Sequence, residues 1–335
     1  MARLQWERRA PARHRVRGAH VLHARATTSW PCPDGRPLLG ANGTEAMTAL
    51  LAQDDGRPGA GHQAQALVDY MKVGPFMGRE AIGALAREYP LLLHLDDTLS
   101  GDAPLSEETL ARIEGWVRLS GTPWTSAHIG FAVADVTLDQ ALISQPLSQV
   151  LGRERALGNI VRNATQLARR LPVPLLLENL PLFPNAAHLL ICEPDFVSDA
   201  LEATGCDLLL DLAHAQVSAD ILGYEVHDYI SRLPLNRVRE LHLSGPRPLG
   251  EIDPQRQAII LDNARTVAEH LSFDEESLVD AHGSLRDVDY ALLEWTLART
   301  RPWAISLEYF RDPDALRSQL LRLAHIIGRS TTPAC

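Results

Sequence analysis

Nine ionisable side chains stand at or just beyond the ends of apolar stretches in this sequence, and their types are those of metal ligands. The stretch DLLLDL (207–212) shows the pattern, because its aliphatic run ends on Asp211 and His214 follows three residues later. The full set is His94, His128, Glu178, Asp211, His214, His242, Asp280, His282 and Glu308. Imidazole with carboxylate suits iron, zinc or manganese, and nine such groups exceed what one ion can use. The set therefore predicts two or three metal ions.

Each of these residues also has a structural interpretation when it is taken singly. A strand-end histidine such as His94 or His128 can simply be hydrogen-bonded, and Glu178 or Glu308 can be a capped or salt-bridged carboxylate. The metal interpretation depends on the set as a whole. So many charged groups in one place would repel and desolvate one another without a compensating cation.

The predicted strands and helices that must position these residues form a repeating β-then-α pattern. Eight apolar stretches are candidate strands: 37–42, 67–73, 90–95, 124–129, 174–179, 207–212, 238–243 and 303–309. Helix signals fill the intervals: from Thr44, at 78–89, after an N-cap at Ser106, and at 138–170, 193–205, 254–271 and 312–328. Eight such units predict a single-domain (β/α)8 TIM barrel, an α/β fold in which the carboxyl ends of the strands carry the chemistry. The third to eighth strands would then bring their terminal ligands to one mouth, with Asp280 and His282 in the connection between the seventh and eighth strands.

Composition and charge further limit the class of protein. The chain has 335 residues, 45% of them hydrophobic and 22% charged, and no apolar run approaches the ~18 residues of a membrane span. We therefore expect a cytoplasmic protein without a membrane partner. The four cysteines show no CxxC spacing, so neither a zinc knuckle nor a disulfide framework is indicated.

The positive charge is concentrated at the N-terminus. Residues 1–25 contain seven arginines and one glutamate, although the whole chain has a net charge of −10. We predict a flexible basic arm over residues 1–34, a catalytic barrel over 35–328 and a tail over 329–335. A basic arm can bind nucleic acid, but the acidic body argues against a nucleic-acid partner. Lys72 is the one lysine among 32 basic residues.

Several sequence blocks, in order along the chain, resemble a known enzyme family. The blocks are HLDDTLSG (94–101), SAHIGF (126–131), LLLENLP (175–181), 192–219, LHLSG (241–245), VDAHG (279–283) and LEYF (307–310). They are similar to blocks of the multinuclear non-heme iron-dependent oxidative enzymes. These are TIM barrels that modify ribosomally made peptides and include the methanobactin-biosynthesis oxidase. The resemblance runs from about residue 37 to residue 325.

The resemblance implies that all nine residues are iron ligands, with Glu178 bridging two metals. Three positions depart from the pattern. Many members have asparagine where His214 stands, glutamate where Ala127 stands and glutamate where Lys72 stands, so the third metal site is the one in doubt. Lys72, Glu178 and Asp211 are the candidate catalytic residues. Lys72 would bind a substrate carboxylate or join a ligand shell, and the alternative is an ordinary salt bridge.

The resemblance also implies a chemistry and partners. One ferric ion would hold a cysteine thiolate of a precursor peptide while a neighbouring ferrous ion binds dioxygen, and the cysteine would then be oxidised. A separate protein that binds the peptide's leader segment would present the substrate.

Two rival functions remain open at the level of sequence. The first is a metal-dependent hydrolase or isomerase of the xylose-isomerase-like barrels, which include the apurinic endonucleases and also carry an aspartate followed by histidine three residues later. The second is a non-catalytic metal-bound protein, against which the nearly complete ligand set argues.

Overall fold

A computed structural model describes residues 35–54, 67–138, 144–146, 148–267, 271 and 273–328. The predicted basic arm and C-terminal tail lie outside these residues. The described residues form twelve strands: β1 (Leu38–Asn42), β2 (Tyr70–Val73), β3 (Leu91–Leu95), β4 (Thr125–His128), β5 (Val136–Leu138), β6 (Ser144–Pro146), β7 (Leu175–Glu178), β8 (Asp207–Asp211), β9 (Val238–Leu243), β10 (Gly245–Pro248), β11 (Leu278–Gly283) and β12 (Ala304–Leu307).

Eight parallel strands close into a barrel in the order β1-β12-β9-β8-β7-β4-β3-β2. Each of the eight predicted strands contains one of these barrel strands, so the predicted TIM-barrel fold is confirmed. Two small antiparallel sheets, β5 with β6 and β10 with β11, were not predicted. Both lie in connections that leave the carboxyl ends of barrel strands.

Helices surround the barrel. They are α1 (Glu45–Asp54), α2 (Arg79–Glu88), α3 (Glu107–Ser120), α4 (Arg153–Arg170), α5 (Ala186–Leu189), α6 (Pro194–Thr204), α7 (Leu212–Leu222), α8 (Val226–Ser231), α9 (Pro254–Ala264), α10 (Asp287–Leu297) and α11 (Pro313–Ile326). The Ser106 side chain accepts a hydrogen bond from the Thr109 backbone N–H, as the predicted N-cap requires. Gly205 ends α6 in the left-handed conformation, which confirms that predicted boundary.

Some predicted helices are wrong in extent, and four helices were missed. The helix predicted over 138–170 begins only at Arg153, because residues 136–138 and 144–146 pair as strands β5 and β6. The helix predicted over 254–271 ends at Ala264, and a 3-10 turn follows. Helices α5, α7, α8 and α10 were absent from the prediction. Eight of the eleven residues of α7 are buried, so this helix has no polar face to give a helical period.

The barrel interior changes from apolar to polar along the strands. One buried cluster fills its lower part: Leu38, Tyr70, Leu92, Trp124, Leu176, Leu209 and Ala304. Strand side chains alternate between faces, so residues two positions further on also point inward. On those strands they are Gly40, Lys72, His94, Ser126, Glu178, Asp211 and Ser306. The same alternation therefore builds the apolar plug and the polar layer above it.

The register of the strands brings polar residues of neighbouring strands side by side. His94 pairs with Ser126, and His128 pairs with Glu178. His242 pairs with Asp211 on one side and with Ser306 on the other. Polar groups from distant parts of the sequence therefore meet in the barrel mouth.

Candidate metal centre

Glu178 lies at the centre of a group of histidines. Its side chain is only 2% exposed, and its Oε2 atom lies 3.4 Å from His94 Nδ1 and 3.7 Å from His128 Nε2. Its Oε1 atom lies 3.3 Å from His242 Nδ1 and 3.5 Å from His214 Nδ1. The two carboxylate oxygens thus face different pairs of imidazoles. This is the arrangement of a carboxylate that can bridge two ions.

Two groups of donor atoms among the described residues are compact enough to hold a metal. One is His94, His128 and Glu178, and the other is Glu178, Asp211 and His242, with the ligand atoms of each group within 4.8 Å of one another. Glu178 belongs to both groups. The structure therefore brings together five of the nine predicted ligands in two adjoining sets.

Asp211 has two roles at the point where β8 becomes α7. Its Oδ1 atom accepts a hydrogen bond of 2.8 Å from the His214 backbone N–H and so caps α7. The chain leaves the strand immediately after Asp211, which allows the two side chains to face the same region. His214 Nδ1 lies 2.8 Å from the Asn179 carbonyl oxygen, and its Nε2 atom lies 3.7 Å from Asp211 Oδ2. The hydrogen bond to the carbonyl leaves Nε2 facing the site.

The remaining predicted ligands form a connected set beside the first. His282 Nε2 lies 3.0 Å from Glu308 Oε2, and His282 Nδ1 lies 3.3 Å from Asp280 Oδ1. Asp280 Oδ2 lies 3.7 Å from His214 Nε2. Asp280 and His282 are in the predicted connection, but they lie on strand β11 within it.

His282 has an unusual backbone conformation. Its φ of 46° is the one positive φ of a non-glycine residue in the part of the chain that the structure describes. Such a conformation is costly for a residue with a side chain and tends to persist at functional sites, where the surrounding structure enforces it. It lies within the candidate ligand set.

Lys72 reaches into this set from β2. Its ammonium group contacts Glu308 Oε1 directly and lies 3.3 Å from His242 Nδ1. Its side chain is 12% exposed. Burial lowers the pKa of Lys72, and the surrounding carboxylates, Glu178 first among them, oppose that shift.

The pKa shifts of three groups in the layer leave them in the form that ligates a metal. Burial lowers the pKa values of His94 and His128, which keeps a lone pair on each ring. Burial alone would raise the pKa of Glu178, but the surrounding histidines hold it well below its usual range. Burial alone would also lower the pKa of His214, but Asp211 and the neighbouring carboxylates raise it to about 10. The carboxylates thus attract positive charge strongly.

Two unpartnered oxygens test whether the residues fit a metal. Glu178 Oε2 and Asp211 Oδ2 are buried and have no hydrogen-bond partner. A buried carboxylate oxygen without a partner is costly, and a cation satisfies it. Each oxygen belongs to one of the two donor groups described above. The donor set therefore fits metal ions bound around Glu178.

Glu240, which the sequence analysis missed, supports His242 from below. The Glu240 side chain is buried and accepts a hydrogen bond of 2.8 Å from Trp124 Nε1 and one of 3.1 Å from the Ser306 hydroxyl. His242 Nε2 lies 3.1 Å from Glu240 Oε1. This contact turns His242 Nδ1 toward the other ligands, an arrangement typical of metal-binding histidines. The detectable signal was a charged residue two positions before His242, on the same face of an otherwise apolar strand.

Arginines hold the segment that carries Asp280 and His282. Arg256 donates a hydrogen bond of 2.8 Å to the Asp280 carbonyl oxygen, and Arg311 donates one of 2.7 Å to the carbonyl oxygen of Ala281. These bonds satisfy backbone acceptors of β11 and fix its position at the mouth. Nothing in the sequence pattern links Arg256 or Arg311 to that segment.

Two other histidines in the described part of the chain have partners outside the ligand set. His227 is exposed on α8, next to Glu225. His188, to which the sequence analysis gave no role, is buried and has its Nδ1 atom 3.0 Å from the Pro181 carbonyl oxygen. Burial lowers the pKa of His188 to about 4. His62 and His270 lie outside the described residues.

The sequence matches the model of one protein family, described as RiPP precursor modification enzyme MbnB/TglH/ChrH, over residues 68–326. This chain belongs to that family. The match covers seven of the eight barrel strands and all nine candidate ligands, and it confirms the resemblance found in the sequence blocks. Members modify ribosomally synthesised precursor peptides, so the chain is an enzyme of peptide modification and a precursor peptide is its substrate.

Full-length relatives are of similar size but distant in sequence. A UPF0276 protein of Rhizobium meliloti (strain 1021), RB0508, is 26% identical over 313 residues, which are 90% of this chain and 98% of the relative. A UPF0276 protein of Caulobacter vibrioides is 29% identical over 257 residues, covering 74% of this chain and 80% of the relative. The similarity thus extends over most of each protein.

Similar solved structures include a D-tagatose 3-epimerase-like protein and endonuclease IV from Thermus thermophilus. The first has a TM-score of 0.49 and 13% identity, and covers 87% of this chain and 97% of that one. The second has a TM-score of 0.47 and 18% identity, and covers 87% and 99%. Identities this low say nothing about substrate. Separately, none of the described helices has the length and hydropathy needed to span a membrane.

Proposed function

We propose that this family member is an iron- and dioxygen-dependent oxidase that modifies a cysteine, or another residue, of a ribosomally synthesised precursor peptide. The observation that carries the proposal is the pair of donor groups that share Glu178, each with an unpartnered carboxylate oxygen. Mixed imidazole and carboxylate donors suit iron, and a shared carboxylate suits a site of more than one ion.

The proposed ligand roles follow the two donor groups. His94, His128 and Glu178 would hold one ion, and Glu178, Asp211 and His242 would hold a second. The set His214, Asp280, His282 and Glu308 would complete the shell or hold a third ion. When bound, iron would hold the substrate thiolate and activate dioxygen, which accepts the electrons and protons lost by the cysteine.

The protein's own side chains prepare the site for this reaction. The side chain of His128 is 37% exposed, whereas those of His242 and Asp211 are completely buried. We propose that the peptide approaches on the His128 side and that the opposite side of the site excludes water. Glu178 and Asp211 provide negative charge that neutralises the ions, and Glu240 keeps the ring of His242 in place.

Two cysteines lie in the part of the chain that the structure describes. Cys192 and Cys206 are buried, and burial raises the pKa of both thiols. Neither is readily deprotonated, and we propose that a thiolate ligand comes from the peptide. We further propose that a separate leader-binding protein delivers that peptide, as the sequence resemblance implies.

Metal analysis tests the proposal directly. Protein purified without oxygen and supplied with Fe(II) should bind more than one iron per chain, and Glu178→Gln should lose both ions of the shared site, because each has Glu178 as a ligand. Glu107→Gln, at a side chain 82% exposed on α3, is the matched control and should keep the full content. Oxygen uptake with precursor peptide, followed by mass spectrometry of the peptide, measures the reaction. A preparation that holds a single ion, or that is active only with zinc, would contradict the oxidase.

A further inference from the structure

Lys72 lies where a cation is required, and its partners show which one it replaces. The ammonium contacts Glu308 Oε1 directly and lies 3.3 Å from His242 Nδ1. Glu308 is 7% exposed in its side chain, so water does little to satisfy its charge. An ammonium group with several donors is a suitable partner for such a carboxylate.

Satisfied and unsatisfied carboxylates divide the site into two parts. Glu178 Oε2 and Asp211 Oδ2 have no hydrogen-bond partner. Glu308 has partners on both oxygens: Lys72 and His242 on Oε1, and His282 on Oε2. The need for an added cation is thus confined to the part that contains Glu178 and Asp211.

The compact donor groups show the same division. In the described part of the chain they draw on His94, His128, Glu178, Asp211 and His242. Neither group includes Glu308, Asp280 or His282, although these side chains contact one another within 3.3 Å. The part of the site beside Lys72 already has a compact arrangement of ion pairs and hydrogen bonds.

We propose that the Lys72 ammonium acts as a built-in third cation, so that this enzyme binds two metal ions and excludes a third from Glu308, His282 and Asp280. This inference rests on the proposed metal site and deepens it. Lys72 neutralises Glu308 and occupies the approach to it, and a metal ion at the same place would meet direct charge repulsion. Lys72 is therefore a positioning residue that sets the metal count.

Substitutions at Lys72 test this inference through metal content. The full-length protein and its variants are purified without oxygen, supplied with Fe(II) alone, and analysed for iron per chain and by Mössbauer spectroscopy. The parent protein should hold two irons. Lys72→Met, which removes the charge at similar length, and Lys72→Glu, which adds a carboxylate, should each gain one iron with its own spectral component. Lys72→Arg keeps the cation and should stay at two.

The controls separate this inference from the proposed function. Arg112→Gln removes a cation from a surface pair with Asp97 and should leave the count at two. If Lys72→Glu does not fold, Lys72→Met decides the question. Three irons in the parent protein, or two in both Lys72→Met and Lys72→Glu, would overturn the role of Lys72 and leave the oxidase standing. A parent protein that takes up no iron would overturn both.

Discussion

At the scale of single residues, some side chains of the site are candidate ligands and others hold those ligands in position. His242 presents Nδ1 to Glu178 and Glu308 while Glu240 holds its Nε2 atom. Trp124 donates a hydrogen bond to Glu240 Oε2, and Ser306 donates one to Glu240 Oε1, the oxygen that faces His242. Support of this kind tunes metal affinity without touching the metal.

We expect Glu240→Gln to weaken metal binding while the barrel stays folded. The amide keeps the shape of the side chain but loses the charge that holds His242, and loss of such a partner typically costs about 10–100-fold in metal affinity. Competition with a chelator measures the affinity. Trp124→Phe is the control, because it removes a donor to Oε2 and leaves the contact between Oε1 and His242 in place. Trp124→Phe should cost about 1–3 kcal/mol of stability and leave the metal affinity near the parent value. Equal metal affinities for Glu240→Gln and the parent would show that Glu240 serves packing alone.

At the scale of elements, the junction between β8 and α7 contains a residue that both caps a helix and is a candidate metal ligand. Asp211 ends the strand, and its Oδ1 atom caps the helix, while its buried Oδ2 atom has no hydrogen-bond partner. Asn179 braces the junction, because its side chain donates to the Asp211 carbonyl oxygen and accepts from the Asp211 backbone N–H. The bend that presents His214 is therefore built by the same residues that end the strand.

Two substitutions should separate the cap from the ligand. Asp211→Asn keeps a side-chain oxygen that can cap α7, so the unfolding midpoint of the metal-free protein should stay close to that of the parent. Asp211→Ala should lower the stability by about 0.5–2 kcal/mol through loss of the cap. Both should lose the ion shared by Glu178 and His242 and abolish peptide oxidation. Iron analysis and thermal unfolding measure the two effects, and full iron content in Asp211→Asn would remove Asp211 from the ligand set.

His214→Asn tests one of the three positions at which this chain departs from the family pattern it resembles. His214 Nδ1 is occupied by the Asn179 carbonyl oxygen, and Nε2 lies 3.7 Å from both Asp211 and Asp280. We expect the variant to retain part of the activity, because neither compact donor group contains His214. Unchanged iron spectra and turnover would assign His214 a purely structural role.

At the scale of the whole molecule, the barrel closes without the basic arm. The first barrel strand begins at Leu38 and pairs with both β12 and β2, so every barrel strand has two neighbours within the described residues. Deletion of residues 1–30 should therefore leave the unfolding midpoint and the iron content unchanged. Calorimetry and metal analysis of the truncated protein check this. Aggregation or loss of iron would show that the arm contributes to the barrel.

The sequence by itself predicted the barrel and most of the candidate ligands that the structure brings together. Apolar runs such as Leu208–Leu210 are what a strand covered on both faces requires, and the parallel arrangement puts all strand ends at one mouth. His94, Glu178 and Asp211 could be found because each follows such a run. Period-two alternation then fixes which side chains point inward, and this depends only on local geometry.

Only the tertiary structure decided which of these residues touch. Glu178 and Asp211 have unpartnered oxygens, whereas the Glu308 carboxylate has partners. This difference depends on the relative heights of β2, β7 and β12 in the closed barrel. The sequence showed Lys72 only as an isolated lysine, and it showed Glu240 as a charge in an apolar strand. Lys72 and Glu308 are 236 residues apart in the sequence, and Glu240 and Trp124 are 116 residues apart. Contacts over such separations follow from barrel closure and strand register, which no local pattern encodes.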